Sequence, residues 1–497
     1  MNIYALRKQY KNNVLCKFIH DNKDLAIQGS SEWLSSRKLY IGGSEMSVIS
    51  GDNIYSKIDN LVAQKTDLIT FTGNIATYWG KLFEGATTQL TEIIFNIQHG
   101  IKETGSLPGA VPNQRYSPDG LAVIDLVCDS APNYDTDLST NSATDLTTDS
   151  AAESSSESGS DSKLILNPFI ILFEFKSPFY TIPDGKIPKH YLPQIKTGLC
   201  SIGIADYCIF INNMFRKCRW NQLDHTISYD SKYHNKDEKK LFVPTNPLAM
   251  GIIFFYQTEE QYHNFCKEYN IRAEYKDSLD SLDSNKDNNQ KTNDKSVIHD
   301  IYGRQVLHST TAENNTESIF RNIFNYNREN ELCNTIDQIQ NKYLEPMDLG
   351  ASEYYTFDKF IKLYNDGFLS VEYSTPHIFP EYNKNKILSC QKLEPGKYDY
   401  CDFIDNCSSI IQSKTIHHRN IVGYLPWKLF KSDIIMEERE PQYVHNLQKK
   451  IDETIEIITN INNQFDIYDK SEIFRRIYPN SSIIRHLPSN DYKSFCM

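Results

Sequence analysis

The chain has 497 residues, a net charge of -12, and 39% hydrophobic and 12% aromatic residues. That length buries one large core or two modest ones, and the composition is that of a soluble globular protein. No apolar run approaches the roughly 18 residues of a membrane helix, and the N-terminus MNIYALRKQYKNN lacks the apolar stretch of a secretory leader, so the expected setting is reducing, intracellular and free of membrane contact.

The 11 cysteines are scattered, with no CxxC pair, and Cys401 with Cys407 has no matching second pair. This argues against a zinc knuckle and a disulfide scaffold. The acidic balance is uneven. Between Asp129 and Ser162 there are eight acidic residues and no Lys or Arg, whereas Lys176 to Lys240 holds eleven basic residues against six acidic ones. A basic groove can therefore sit on a chain that is acidic overall.

In chain order, residues 31–50 are expected to run from a Trp-containing helix through Gly42-Gly43 into a second helix. Residues 78–95 place Trp79, Leu82, Phe83, Ala86 and Leu90 at helical spacing. The runs 121–128 and 164–176 are expected as buried strands. The stretch between them, 132–162, is Ser, Thr and Asp with almost nothing apolar, so it cannot offset its ordering entropy. A helix is expected over 187–203 and strands over 205–212 and 251–257. Residues 275–296 form a second polar stretch. VGYLPWKLF, 422–430, is expected to be extended, and 440–465 helical. Strands alternating with helices imply a mixed α/β core. The segments are 1–30 (N-terminal extension), 31–131 and 163–270 (two parts of one core), 132–162 (acidic insert), 271–414 (a further insertion), and 415–497 (a strand and helix completing the core).

Two short motifs carry chemistry. SPDGL spans 117–121, and FEFK, 173–176, ends a very apolar strand. Alternation puts Glu174 and Lys176 on one face and Phe175 on the other. Two charges at the end of such a strand are costly to bury without a partner; the ordinary alternative is a strand end that reaches solvent. If 119–128 and 164–176 pair as an antiparallel hairpin with Asp119 opposite Glu174, its midpoint falls at 146–147, the centre of the acidic insert. The insert then sits at the tip, where insertions are tolerated, and the two carboxylates meet at the other end. Adjacent carboxylates repel less with a divalent cation between them, and all-oxygen ligation suits Mg²⁺ or Mn²⁺ rather than zinc.

Asp, a variable gap, then Glu-x-Lys resembles the signature of PD-(D/E)XK nucleases. The surrounding residues resemble the lambda exonuclease-like branch, with the YqaJ-type viral recombinases and the alkaline nucleases of large DNA viruses. Trp33 and Arg37 precede the Gly-Gly-Ser-Glu turn at 42–45, which carries Ser44; Gly80-Lys81-Leu82-Phe83-Glu84 matches a Gly-Lys-x-x-Glu helix. Ser117 to Leu121, Glu174 to Pro178 and Tyr191-Leu192-Pro193-Gln194 complete five elements in order. The likeness covers about residues 31–260, with a return at 415–465. The gap between Asp119 and Glu174 is longer than the family's, the 42–45 turn departs from a Thr/Ala-rich one, and Pro193 is tolerable only in a first helical turn.

The resemblance implies a restriction-endonuclease-like core, a central mixed sheet flanked by helices with long insertions, and a magnesium-dependent deoxyribonuclease. Asp119, Glu174, the Phe175 carbonyl and Glu84 would hold the metal. Lys176 would activate the attacking water and Gln194 would position it. Arg37 and Ser44 would bind a 5′-terminal phosphate, with Tyr191 nearby; the ordinary alternative for Ser44 is a helix cap. Arg216, Lys217 and Arg219, around Trp220, suit contact with a DNA backbone; a solvated loop is the more common origin of such a cluster. The implied activity is 5′→3′ digestion of double-stranded DNA ends in viral recombination, repair or genome processing. A single-strand annealing protein is the implied partner and the host cytoplasm or nucleus the implied compartment. A structure-specific endonuclease, a DNase/RNase on the same fold, and a catalytically silent DNA-binding or structural protein stay open.

Overall fold

The computed structural model describes residues 2–26, 30–70, 73–128, 165–179, 181–217, 223, 247–268, 298–299, 305–306, 361–379, 382, 400–413, 415–417 and 419–488. The acidic insert, Arg219 and most of the 271–414 segment lie outside these residues.

The architecture is mixed α/β. The hairpin of β4 (Gly120–Cys128) and β5 (Ile165–Lys176) runs in register from Gly120 opposite Phe173 to Cys128 opposite Ile165. Continued by one pair, that register sets Asp119 opposite Glu174, as the sequence arithmetic expects. β5 pairs in parallel with β6 (Tyr207–Lys217), and the α6 helix (Leu192–Ser201) makes the crossover. β6 then pairs antiparallel with β11 (Arg419–Glu437), β11 with β7 (Ala249–Tyr256), and β7 with β8 (Ser370–Tyr373). The short strands β9 (His377–Ile378) and β10 (Thr415–Ile416) pair with β7 and β11 and complete an eight-stranded sheet.

Period-two alternation in β5 assigns its two faces. Ile171, Phe173 and Phe175 pack with Trp79, Phe83 and Leu90 of α5 (Ile75–Ile94). Ile170 and Leu172 pack with Leu15 of α1 (Ile3–Asp21) and with Ile195 and Leu199 of α6. Each of these buried side chains contributes about 1.5–3 kcal/mol relative to exposure. A second cluster joins Ile41, Met46 of α3 (Met46–Ser50) and Val62 of α4 (Ile58–Lys65) to Ile451 and Ile458 of α9 (Gln448–Asn462) and Phe474 of α10 (Ile467–Ile477).

Within the N-terminal extension α1 lies on the hairpin, with Lys8 paired to Asp125 at 2.7 Å and Lys11 to Asp206 at 2.7 Å. Its weak amphipathic pattern hides it in the sequence, although Leu15 is buried and Val14, Phe18 and Ile19 pack against the same cluster. β6 runs on to Lys217, five residues past the expected end, because β11 continues to pair with it there.

Candidate active site

A cavity of about 710 Å³ opens beside the end of the hairpin. Asp119, Phe175 and Lys176 line it from the hairpin, Glu84 from α5, and Tyr191 and Gln194 from the start of α6. Arg37 and Ser44 line it as well. Nine of the twelve residues singled out from the sequence are thus assembled here, counting Glu174, which is fully buried just under the cavity.

The carboxylates interlock through backbone and side-chain bonds. Asp119 Oδ2 accepts from the Phe175 N–H at 2.7 Å, and Glu174 Oε2 accepts from the Tyr116 hydroxyl at 2.9 Å. Lys176 donates to Glu174 Oε1. Burial, then the neighbouring Asp119 carboxylate, raises Glu84 to about 8. The same two causes raise Glu174 to about 7, against the opposing pull of Lys176 and Tyr116. Burial raises Asp119 as well. Burial opposes the charged form of Lys176, but Glu174 and Asp119 overcome it and hold the ammonium above its ordinary range. Three carboxylates thus compete for one cation, a situation a divalent ion relieves.

Tyr116 is a member that the sequence motifs do not flag, although it stands directly before Ser117-Pro118-Asp119. Its ring is held in a slot between two glycines. A Cβ on Gly43 would lie 2.4 Å from Tyr116 Cδ2, and one on Gly198 would lie 2.4 Å from Tyr116 Cζ. The adjacent Ser117 accepts from Trp33 Nε1 at 3.2 Å, which ties the 31–36 helix to the hairpin.

The donor set, all oxygen and anionic, fits Mg²⁺ or Mn²⁺. Among the described residues, no three His, Cys, Asp or Glu side chains stand as a ready-formed cluster. Both Glu174 oxygens accept a hydrogen bond, from Lys176 and Tyr116, and Asp119 accepts from a backbone N–H; each oxygen keeps a further lone pair.

Arg37 and Ser44 line the cavity beside a short helical turn. Residues Gly43–Glu45 form a single 3-10 turn ahead of the five-residue α3. The Gly42 N–H donates to Glu45 Oε2 at 2.7 Å, so this backbone group is already used. Arg37 stacks on Trp33 at 4.6 Å, pairs with Glu45 Oε1 at 3.1 Å and reaches Ser44 Oγ at 3.5 Å. Lys65, buried, pairs with Glu45 Oε2 at 2.8 Å; burial lowers its pKa despite that carboxylate.

Arg216 and Lys217 do not join the site. They are buried in β6, opposite Lys428 and Trp427 of β11, and do not line the cavity. At residues 216 and 217 the expected loop is instead ladder-paired strand.

No family model matches the chain. It is similar to a protein of African swine fever virus whose name states no activity, with 29% identity over 255 residues in a Malawi tick isolate and 27% over 255 residues in the Badajoz strain. The match takes in 49% of this chain and 64% of the viral proteins, so the chain spans less than two thirds of the length of these relatives. Among solved structures it is similar to the alkaline exonuclease LHK-Exo from Laribacter hongkongensis, with 18% identity and a TM-score of 0.24, covering 37% of this chain and 74% of that one. LHK-Exo in complex with dAMP gives 16% identity at the same TM-score and coverage. A likeness of that degree does not extend to activity.

Proposed function

We propose that this chain is a metal-dependent DNA nuclease that digests double-stranded DNA ends in the 5′→3′ direction, working in viral DNA recombination, repair or genome processing. The observation that supports it is the meeting of Glu84, Asp119, Glu174 and Lys176, from a helix and the two arms of one hairpin, beside one cavity. Phosphodiester hydrolysis needs an activated water and neutralised phosphate oxygens.

In this reading Asp119, Glu174 and Glu84 would hold Mg²⁺ or Mn²⁺ with the Phe175 carbonyl, and the cation would supply charge neutralisation at the phosphate. Lys176 orients the attacking water and shifts its charge from Glu174 to the reacting phosphate. Gln194, in the first turn of α6, holds the water or the scissile phosphate. Tyr116 keeps Glu174 aimed. Arg37 and Ser44 receive the terminal phosphate, and the Glu45 pairing sets what that phosphate must displace.

The same pairing favours a second reading on the same fold, a structure-specific endonuclease, because an Arg37 already satisfied by Glu45 is not a free end-anchor. The purified chain with Mg²⁺ or Mn²⁺, given linear duplex with 5′-phosphate or 5′-hydroxyl ends and a covalently closed circle, separates the two. Stepwise digestion of linear DNA with the circle intact supports the exonuclease. Nicking of the circle supports the endonuclease. Silence with both metals removes the enzyme reading.

A further inference from the structure

Tyr55 and His190 line the same cavity but take no part in the proposed hydrolysis. Tyr55 is 73% exposed and the adjacent Ile54 71%, high for large apolar side chains on a built loop. The loop is held in shape: Asn53 Oδ1 accepts from the Tyr55 N–H at 2.8 Å and the Ser56 N–H at 2.7 Å. Asn53 Nδ2 donates to Ser47 Oγ on α3 at 2.8 Å. The fold thus presents Tyr55 at the rim in a fixed position.

From there a path of rings leads inward. Tyr55 meets His190 edge-on, with centroids 5.4 Å apart at 86°. His190 meets Tyr191 at 4.1 Å, and Lys176 Nζ lies 5.2 Å from the Tyr191 ring centre. Burial and then the Lys176 ammonium lower the His190 pKa, which favours the uncharged ring. A cavity that sets Arg37, Arg115 and Lys176 beside the Glu84 and Asp119 carboxylates, with an aromatic wall running to solvent, suits a polynucleotide strand, whose backbone is anionic and whose bases stack.

We propose that Tyr55 and His190 form a stacking subsite for the bases of an unpaired DNA strand, leading that strand toward Lys176. This rests on the nuclease reading and names its substrate more closely: a strand end whose bases are free of the duplex, since a paired base shows no open face to Tyr55. Stacking is blind to sequence, because every base has a π face.

The test uses the full chain in EDTA, so that binding is read without cutting. The probe is a short single-stranded DNA carrying 2-aminopurine, whose fluorescence is quenched on stacking, alongside the same strand annealed to its full complement. Wild type and Tyr55→Phe are expected to quench the single-stranded probe. Tyr55→Ala is expected to lose the quench and to bind the single strand roughly tenfold or more weakly. Its duplex binding and thermal midpoint stay unchanged, since the side chain is on the surface. His190→Ala should lose part of the quench. The subsite is wrong if Tyr55→Ala quenches like wild type, or if Tyr55→Phe fails as badly as Tyr55→Ala. Wild type that cuts DNA with Mg²⁺ but never quenches the probe overturns the subsite alone. Wild type that neither binds nor cuts overturns the nuclease reading with it.

Discussion

Tyr116 donates its hydroxyl to Glu174 Oε2 at 2.9 Å across a fully buried contact. Tyr116→Phe keeps the ring in its slot and removes only that donor. The expected cost is about 1–3 kcal/mol in stability, the penalty for a buried acceptor left unmade. Nuclease activity should fall with it, because Glu174 loses one of the two bonds that aim it. Chemical denaturation and a nuclease assay on the same preparation read both. Unchanged activity would separate Tyr116 from the chemistry.

Gly43→Ala and Gly198→Ala should both impair the site without touching a charged group. Either methyl collides with the Tyr116 ring at 2.4 Å, closer than any relaxed contact. Overpacking of this kind costs about 1–3 kcal/mol. The informative case is Gly43→Ala combined with Tyr116→Ala, where the collision disappears. The double variant should regain thermal stability relative to the sum of the singles. Strict additivity would mean that the glycine serves some other purpose.

Metal should stabilise the folded chain and not only activate it. With Mg²⁺ or Mn²⁺ at about a hundredfold excess over its dissociation constant, linkage adds about 2.7 kcal/mol, visible as a raised thermal midpoint. Glu174→Gln should lose most of that rise, since an amide is a poor ligand for a hard dication. Lys176→Ala should keep it while hydrolysis drops about a hundredfold or more. Loss of metal stabilisation in Lys176→Ala alone would contradict the assigned roles.

Arg37→Ala should shift end preference more than rate. The variant is expected to digest 5′-phosphorylated and 5′-hydroxyl duplex at similar speeds where wild type favours the phosphate. Glu45→Ala should behave differently and unfold more easily, by about 1–3 kcal/mol, because the buried Lys65 ammonium loses its carboxylate and keeps only the Arg37 and Tyr40 carbonyls. If Arg37→Ala slows both substrates equally with its fold intact, end-anchoring is not its function.

The hairpin register is legible in the sequence because the two strands carry one strong alternation and the acidic insert marks the tip. The same alternation separates Glu174 and Lys176 from Phe175. Glu84 and Gln194 emerge only through the motif order, since a lone carboxylate or amide on a helix has no signature of its own. Tyr116 escapes a sequence reading because its role depends on Gly43 and Gly198, far apart in the chain, making room for one ring. The Glu45–Lys65 pairing escapes for a similar reason: Lys65 sits in an ordinary-looking helical turn, and only packing buries it. Arg216 and Lys217 are misplaced from sequence because charge at the end of a strand reads as a loop unless its partner strand, β11, is known.

The long β11 strand also has a bearing on how this protein is made. It pairs with β7 through Ile421–Leu429 and with β6 through Trp427–Glu437, so it is the piece that joins the two halves of the sheet. On the ribosome, the hairpin, α6 and β6 emerge long before it does, and every residue of the proposed chemistry has then been synthesised. Until β11 arrives, β6 and β7 present open edges of the kind that invite pairing with other chains. Messages or protein fragments that stop ahead of Arg419 should therefore yield aggregates rather than a small working enzyme. A strand remote from the chemistry in sequence decides whether the residues made before it ever reach a soluble fold.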